Sequence, residues 1–240
     1  MENSASESPK AEPGQIGRLR GRFITFEGGE GTGKSTQAGI LARRLESLGV
    51  GVLFTREPGG SPGAEVIRHV LLSGAAKPLG PEAEAMLFAA ARDDHVRCAI
   101  QPALDAGKWV VCDRFADSTR VYQGALGQVD ERLIKGLERV SIGDLSPDLT
   151  LILDLPVETG LERRAQRSGD GKPDRFEAES VEFHQKLRQA YLALAEREPQ
   201  RCVIIDASGS KEDIARRIWA VVDSRFDPAM APLTAEHLAS

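Results

Sequence analysis

With 240 residues, 41% of them hydrophobic and 28% charged, the chain is long enough for one large α/β domain or two small ones. Its balance is that of a soluble globular protein. A net charge of −5 argues against a general nucleic-acid binder, which carries a basic stripe, yet leaves room for arginines around a small anionic ligand. No stretch approaches the roughly 18 to 20 apolar residues of a membrane span, and the first residues lack the apolar centre of a secretory signal, so a cytoplasmic protein without membrane partners is expected.

Residues 1–20 are rich in Ser, Glu, Pro and Gly and read as a disordered leader. The folded domain is expected over 21–224, followed by a tail (225–240) in which Leu233 and Leu238 suggest a short docking helix. Within the domain five apolar runs recur, at 23–27, 50–55, 109–113, 149–155 and 202–206. They are dense in Val, Ile, Leu and Phe with little alternation, the pattern of strands buried on both faces of a parallel sheet. Between them lie helical patterns. Ala38, Leu41, Leu45 and Leu48 repeat at helical spacing, and Gly49 is placed to stop that helix. Pro81 opens another at a favoured position and is expected to carry 86–90 inward. Phe183, Leu187, Tyr191 and Leu194 form a third stripe after an acidic start at Glu177 and Glu179. Cys98, Cys112 and Cys202 have no metal-ligand spacing and read as small buried hydrophobes. Alternating strands and helices imply a single three-layer α/β/α domain on a five-stranded parallel sheet, whose ligands bind beyond the carboxyl ends of the strands.

Those strand ends are where the sequence becomes unusual. Gly28, Gly29, Glu30, Gly31, Thr32, Gly33, Lys34 and Ser35, followed by Thr36, match the phosphate-cradling pattern G-x-x-x-x-G-K-[ST] between a strand and a helix. Glycines let backbone amides wrap a phosphate, and the helix N-terminus adds partial positive charge. Lys34 is expected to bridge the β- and γ-phosphates of ATP, and Ser35 to ligate Mg²⁺. By itself this motif does not separate kinase, GTPase and motor.

Thr55-Arg-Glu-Pro-Gly-Gly60 ends the second run and places Arg56 at the ligand-facing edge. Asp113 ends the third, where a carboxylate can hold a Mg²⁺-bound water, and Arg114 beside it can grip a phosphate. For either arginine alone a structural salt bridge is as good an account; two at strand ends around one cradle shift the balance. Residues 163–175 hold five cations around Gly-Asp-Gly-Lys-Pro. This reads as a lid over about 163–176 that closes on ATP and excludes water, rather than a solvated loop. Phe88 and Arg92, four residues apart, share a helix face suited to a nucleobase. The guanine motif N/T-K-x-D of a GTPase switch is missing, and the four histidines (His69, His95, His184, His237) fall outside these motifs.

Together the stretches FITFEGGEGTGKST, TREPGG, MLFAAAR, DRFADSTRVYQG and the DRFE-containing lid resemble the bacterial thymidylate kinase family over roughly residues 22 to 222. The resemblance implies transfer of the ATP γ-phosphoryl group to dTMP, with Mg²⁺, in a homodimer. It implies that Phe88 stacks on thymine, Arg92 bonds a base oxygen, Thr119 and Gln123 lie near the base edge, and Tyr122 lies against the sugar. Arg56 and Arg114 would hold the acceptor phosphate, with Glu30 approaching the deoxyribose. One family branch has Arg after that acidic position. This chain has Gly31 and so resembles the branch that takes its catalytic arginine from the lid, here Arg164 or Arg167. The six residues 168–173 lengthen this lid, and the termini lie outside the resemblance.

Overall fold

The computed structural model describes residues 20–168, 176 and 179–228, without the side chains of 167 and 168. The expected leader up to residue 19, the middle of the lid and the docking helix of the tail lie outside the described residues.

Five strands form one parallel sheet in the order β2-β3-β1-β4-β5. They are β1 (Phe23–Gly28), β2 (Val52–Arg56), β3 (Trp109–Asp113), β4 (Leu149–Asp154) and β5 (Cys202–Asp206). The central strand, β1, is buried along its whole length. Its registers run Ile24 opposite Val111 on one side and Leu149 on the other. The two sides of β1 serve different layers, because successive side chains point to opposite faces. Ile24 and Phe26 join Leu41 and Leu45 of α1 (Lys34–Ser47) and Ile214, Ile218 and Val222 of α9 (Lys211–Phe226). On the other face Phe23 packs with Val110, Cys112, Phe115, Ile100 and Leu104. Each such side chain, fully buried, contributes roughly 1.5–3 kcal/mol of apolar transfer.

The second face is built by α3 (Pro81–His95), which runs through a π-helical turn, Val96–Ile100, into α4 (Gln101–Asp105). It is completed by α5 (Ala116–Thr119) with the π-helical Arg120–Leu126, and by α8 (Val181–Arg197). α2 (Pro62–Leu72) packs on α3, which packs on α6 (Glu131–Ser141). The remaining helix, α7 (Val157–Ser168), follows β4. Residues 163–168, expected in a loop-like lid, therefore continue a helix.

Some expected faces are corrected. On α3 the buried positions are Glu84, Ala85, Ala89, Ala91, Arg92 and His95, whereas Met86 is 50% exposed and Ala90 is exposed. With 3.6 residues per turn, five consecutive residues cannot all point inward. Leu48 lies beyond the end of α1 and is exposed, with Gly49 at φ +81° turning the chain away. α8 starts one turn later than its acidic residues suggest: Ser180 caps it by accepting from the Phe183 amide at 3.2 Å. Cys112 and Cys202 are buried, but Cys98 is exposed on the π-helical turn.

The cradle between β1 and α1 rests on α7 through two glycines. A Cβ on Gly31 (φ +69°) would lie 1.8 Å from the Gly160 carbonyl oxygen, and a Cβ on Gly160 would lie 2.5 Å from the Glu30 carbonyl oxygen. Backbone meets backbone here, so neither neighbour can swing aside. Gly160→Ala is expected to cost about 1–3 kcal/mol through overpacking, read as a lower urea midpoint at unchanged slope.

Candidate active site

At the carboxyl ends of β1, β2 and β3 the chain forms one cavity of about 230 Å³. Its floor is the cradle (Glu30, Gly31, Gly33, Lys34 and Ser35), with Asp113 beside it. Arg56, Phe88, Arg92 and Arg114 line its walls, and so do Thr119, Tyr122 and Gln123. Every residue expected to hold the acceptor thus faces a single space. Gly28, Gly29, Thr32 and Thr36 complete the loop and its entry into α1, with Thr32 donating to the Gly29 carbonyl at 3.0 Å.

The cradle's charges are held in pairs. Glu30 accepts from Arg114 Nη2 at 2.6 Å and from the Tyr122 hydroxyl at 3.3 Å. Burial works against its ionisation, but the Arg114 and Lys34 charges outweigh it and bring its carboxyl down to about 2. Lys34 Nζ folds back onto the Gly29 carbonyl at 2.6 Å. Burial first, and then the Arg114 charge, push its ammonium down to about 8. Ser35 donates to Asp113 Oδ2, while Asp113 Oδ1 is buried and has no hydrogen-bond partner among the described residues.

Arg114 has a left-handed backbone (φ +70°), its amide bonded to the Phe26 carbonyl at 2.9 Å. That turn brings its guanidinium back over the sheet end, 5.3 Å from the Tyr122 ring centre and 3.3 Å from both Ser118 Oγ and Tyr191 Oη. Beneath it Glu27, at the end of β1, accepts from the Phe115 amide (2.8 Å), Ser118 (2.7 Å) and Tyr191 (2.9 Å). Burial, and then the nearby Asp117, raise the Glu27 carboxyl to about 7.

Arg92 is buried, donating from Nε to Glu57 at 2.8 Å and from Nη2 to the Phe115 carbonyl and Thr119 Oγ1 at 3.2 and 3.1 Å. Arg92 also lines the cavity, and its Nη1 donors are not used in these three bonds. Phe88 is half-buried, its ring 6.1 Å from Phe176, which also lies 5.4 Å from Tyr122. Arg56 is half exposed and pairs with Glu65 at 3.0 Å. Of the lid arginines, Arg164 is half-buried on α7 and does not line the cavity, the Arg167 side chain lies outside the described residues, and Arg163 donates to the Ala207 carbonyl at 3.0 Å.

Several contributors escaped the sequence reading. Glu27 and Tyr191 sat inside runs that read as plain strand and plain helix. Ser118 was part of a quoted motif without a role. Arg68, which lines the cavity and donates to the Pro58 carbonyl at 2.5 Å, belongs to a helix no motif marked.

A family model described as thymidylate kinase matches residues 26–218. A thymidylate kinase of Nitrobacter winogradskyi is 61% identical over 92% of this chain and 94% of its own length. One from Bradyrhizobium diazoefficiens is 62% identical over 88% and 93%. Among solved structures, thymidylate kinase from Ehrlichia chaffeensis is similar with a TM-score of 0.68 and 31% identity, covering 85% of this chain and 99% of that one. With a phosphate cradle and the whole acceptor constellation converging on one cavity, and with relatives this similar over nearly the full chain, the protein belongs to the thymidylate kinase family.

Proposed function

We propose that this chain is a thymidylate kinase that transfers the γ-phosphoryl group of ATP to dTMP through the residues described. The observation that carries the reading is the convergence of a base-facing pair, Phe88 and Arg92, with phosphate-facing Arg56 and Arg114 in a cavity floored by the cradle. An acceptor phosphate oxygen attacks the γ-phosphorus in line, the bond from that phosphorus to the β,γ-bridging oxygen breaks, and dTDP and ADP result. The protein positions and neutralises rather than forming a covalent intermediate. Lys34 exchanges the Gly29 carbonyl for nucleotide phosphate oxygens. Arg114, already oriented by Glu30, holds the acceptor phosphate, and Arg164 or Arg167 supplies charge at the transferring group.

Mg²⁺ fits Ser35 and Asp113: an unpartnered buried carboxylate oxygen next to a hydroxyl suits a hydrated cation held mainly by phosphates and water. The described residues hold no cluster of three His, Cys, Asp or Glu that would cage a metal outright. Bound there, Mg²⁺ would neutralise charge on the β- and γ-phosphates. No described helix is long and apolar enough to cross a membrane.

Lys34 makes nucleotide binding proton-linked. Its ammonium loses its proton near pH 8 in the free protein, and phosphate oxygens favour the charged form. ATP binding at pH 8 should therefore take up about half a proton, and affinity should fall as pH rises above 8. Calorimetry in buffers of different ionisation enthalpy measures the uptake, and Lys34→Met should abolish it.

Acceptor choice follows from Arg92. It donates to a thymine carbonyl but meets the cytosine amino group donor against donor, a mismatch of roughly 1–3 kcal/mol. The lost methyl of dUMP is worth only about 1 kcal/mol. In a coupled ADP-release assay kcat/KM should run dTMP, then dUMP, with cytidine and purine nucleotides far behind; Arg92→Ala should compress this range. A purine or cytidine preference in the wild-type protein would overturn the thymidylate reading and leave only a monophosphate kinase.

A homodimer is supported by exposed Val66 and Val70 on α2, Met86 on α3 and Val140 on α6, apolar residues on three helices that pack side by side. Sedimentation should give twice the chain's 25.9 kDa; a 25.9 kDa species at micromolar concentration would count against it.

A further inference from the structure

A base-reading arginine discriminates only if it cannot turn away. Facing a cytosine amino group, a freely rotating guanidinium would swing aside and find water, and the donor–donor mismatch would cost little. Arg92 is denied that escape: Nε is tied to Glu57 and Nη2 to the Phe115 carbonyl and Thr119. The carbonyl and the hydroxyl stand on a strand-to-helix turn and a short helix. Glu57, by contrast, stands on a loop that continues Pro58-Gly59-Gly60, a segment without a regular hydrogen-bond ladder of its own. Something must fix the carboxylate that fixes the arginine.

His95 does so. It lies on α3 one turn beyond Arg92, so the two side chains share a helix face. Its Nδ1 is 3.1 Å from Glu57 Oε1, while Arg92 holds Oε2. Both carboxylate oxygens are thereby clamped by one helix. The ring is fully buried, and its Nε2 lies 2.8 Å from Thr55 Oγ1. A carboxylate only accepts, so Nδ1 carries the proton, and in the neutral ring Nε2 accepts from the Thr55 hydroxyl. Gly60 closes over the ring: a Cβ there would lie 2.3 Å from His95 Nε2 and 2.4 Å from Thr55 Oγ1. The order is Thr55 to His95, His95 to Glu57, Glu57 to Arg92, all buried, with the last member facing the cavity.

We propose that His95 is a specificity-determining positioning residue, acting through Glu57 to lock the plane of Arg92 and so to enforce rejection of the cytosine nucleotide. The proposal rests on the assignment of Arg92 as the base reader. His95 touches no substrate; it sets the rigidity with which Arg92 does.

Two amide substitutions separate its two ring nitrogens. His95→Asn keeps a donor near the Nδ1 position, toward Glu57, whereas His95→Gln places its amide near the Nε2 position, toward Thr55, and releases Glu57. The readout is the ratio of kcat/KM for dTMP over dCMP, with KM for ATP and the melting temperature measured alongside. His95→Gln should lower that ratio about tenfold, chiefly through the acceptor KM, with KM for ATP within about twofold of wild type; His95→Asn should restore most of it. An unchanged ratio in folded His95→Gln overturns the proposal, as does a loss in which both variants raise KM for ATP and for acceptor alike. Should His95→Gln fail to fold, Thr55→Val, which frees the ring at Nε2, must lower the same ratio, and an unchanged ratio there also overturns it. A wild-type protein that does not turn over dTMP sinks the thymidylate reading instead. The inference is then decided by the Kd of dTMP against dCMP in the same variants.

Discussion

The ion pair between Glu30 and Arg114 organises the site. It joins the phosphate cradle after β1 to the turn after β3, 84 residues apart in sequence, across 2.6 Å. A cavity meant for phosphates must concentrate cations, and buried cations without partners are costly. The pair resolves this before any ligand arrives. Glu30 neutralises Arg114 and is itself held ionised, its carboxyl brought down to about 2 against the pull of burial. Lys34 is stored on a backbone carbonyl of its own loop. A nucleotide therefore meets charges already oriented and has only to take over their partners, the preorganisation on which electrostatic catalysis depends.

Beneath that pair lies a second constraint. Glu27 is fully buried, and burial followed by the nearby Asp117 raises its carboxyl to about 7. Yet it accepts three hydrogen bonds, from the Phe115 amide, Ser118 and Tyr191. Two of those donors, Ser118 and Tyr191, also meet Arg114. Glu27 thus fixes the platform on which the left-handed Arg114 sits. On the far side of the same turn Asp117 accepts from Arg201 through both oxygens, at 2.8 and 2.6 Å, with Arg120 at 3.2 Å. The turn after β3 is tied down on both sides, and Arg114, Phe115, Ser118 and Thr119 face the cavity from it.

The sheet was legible because each strand wrote itself as a continuous apolar run, although only β1, β3 and β4 are buried on both faces; the edge strands β2 and β5 leave Phe54 and Ile204 exposed. Of the residues expected to hold an acceptor, Arg56 and Arg114 were marked by motifs at strand ends and Phe88 and Arg92 by their spacing on one helix, and all seven line the cavity. What stayed hidden depends on partners distant in sequence. Glu27 reads as the last residue of a strand until Tyr191, 164 residues on, is placed against it. His95 lies three residues past a quoted motif, and nothing local says that its ring will meet Glu57. Nothing local in the cradle says that Glu30 will take Arg114, 84 residues on, as its partner. Met86 and Cys98 were misjudged for another reason: apolar character says that a residue is able to be buried, and only the phase of its helix says whether it is.

The two glycines joining the cradle to α7 bear on where the catalytic cation comes from. With the Gly160 carbonyl 1.8 Å from a Cβ at position 31, no side chain, and so no arginine, fits in the cradle at that position while α7 stays in place. The helix that excludes it also carries the two arginines proposed in its place. Residues four and seven beyond a helical position share its face, and from Gly160 those are Arg164 and Arg167. Arg163 falls beside that face and is occupied with the Ala207 carbonyl. The contact that empties position 31 of side chains is thus made by the same helix on whose face positions 164 and 167 fall. Close backbone packing at Gly31 and Gly160 therefore bears directly on the proposal of a lid arginine: it closes the cradle to a side chain of its own and holds α7, which carries both candidates, against the loop.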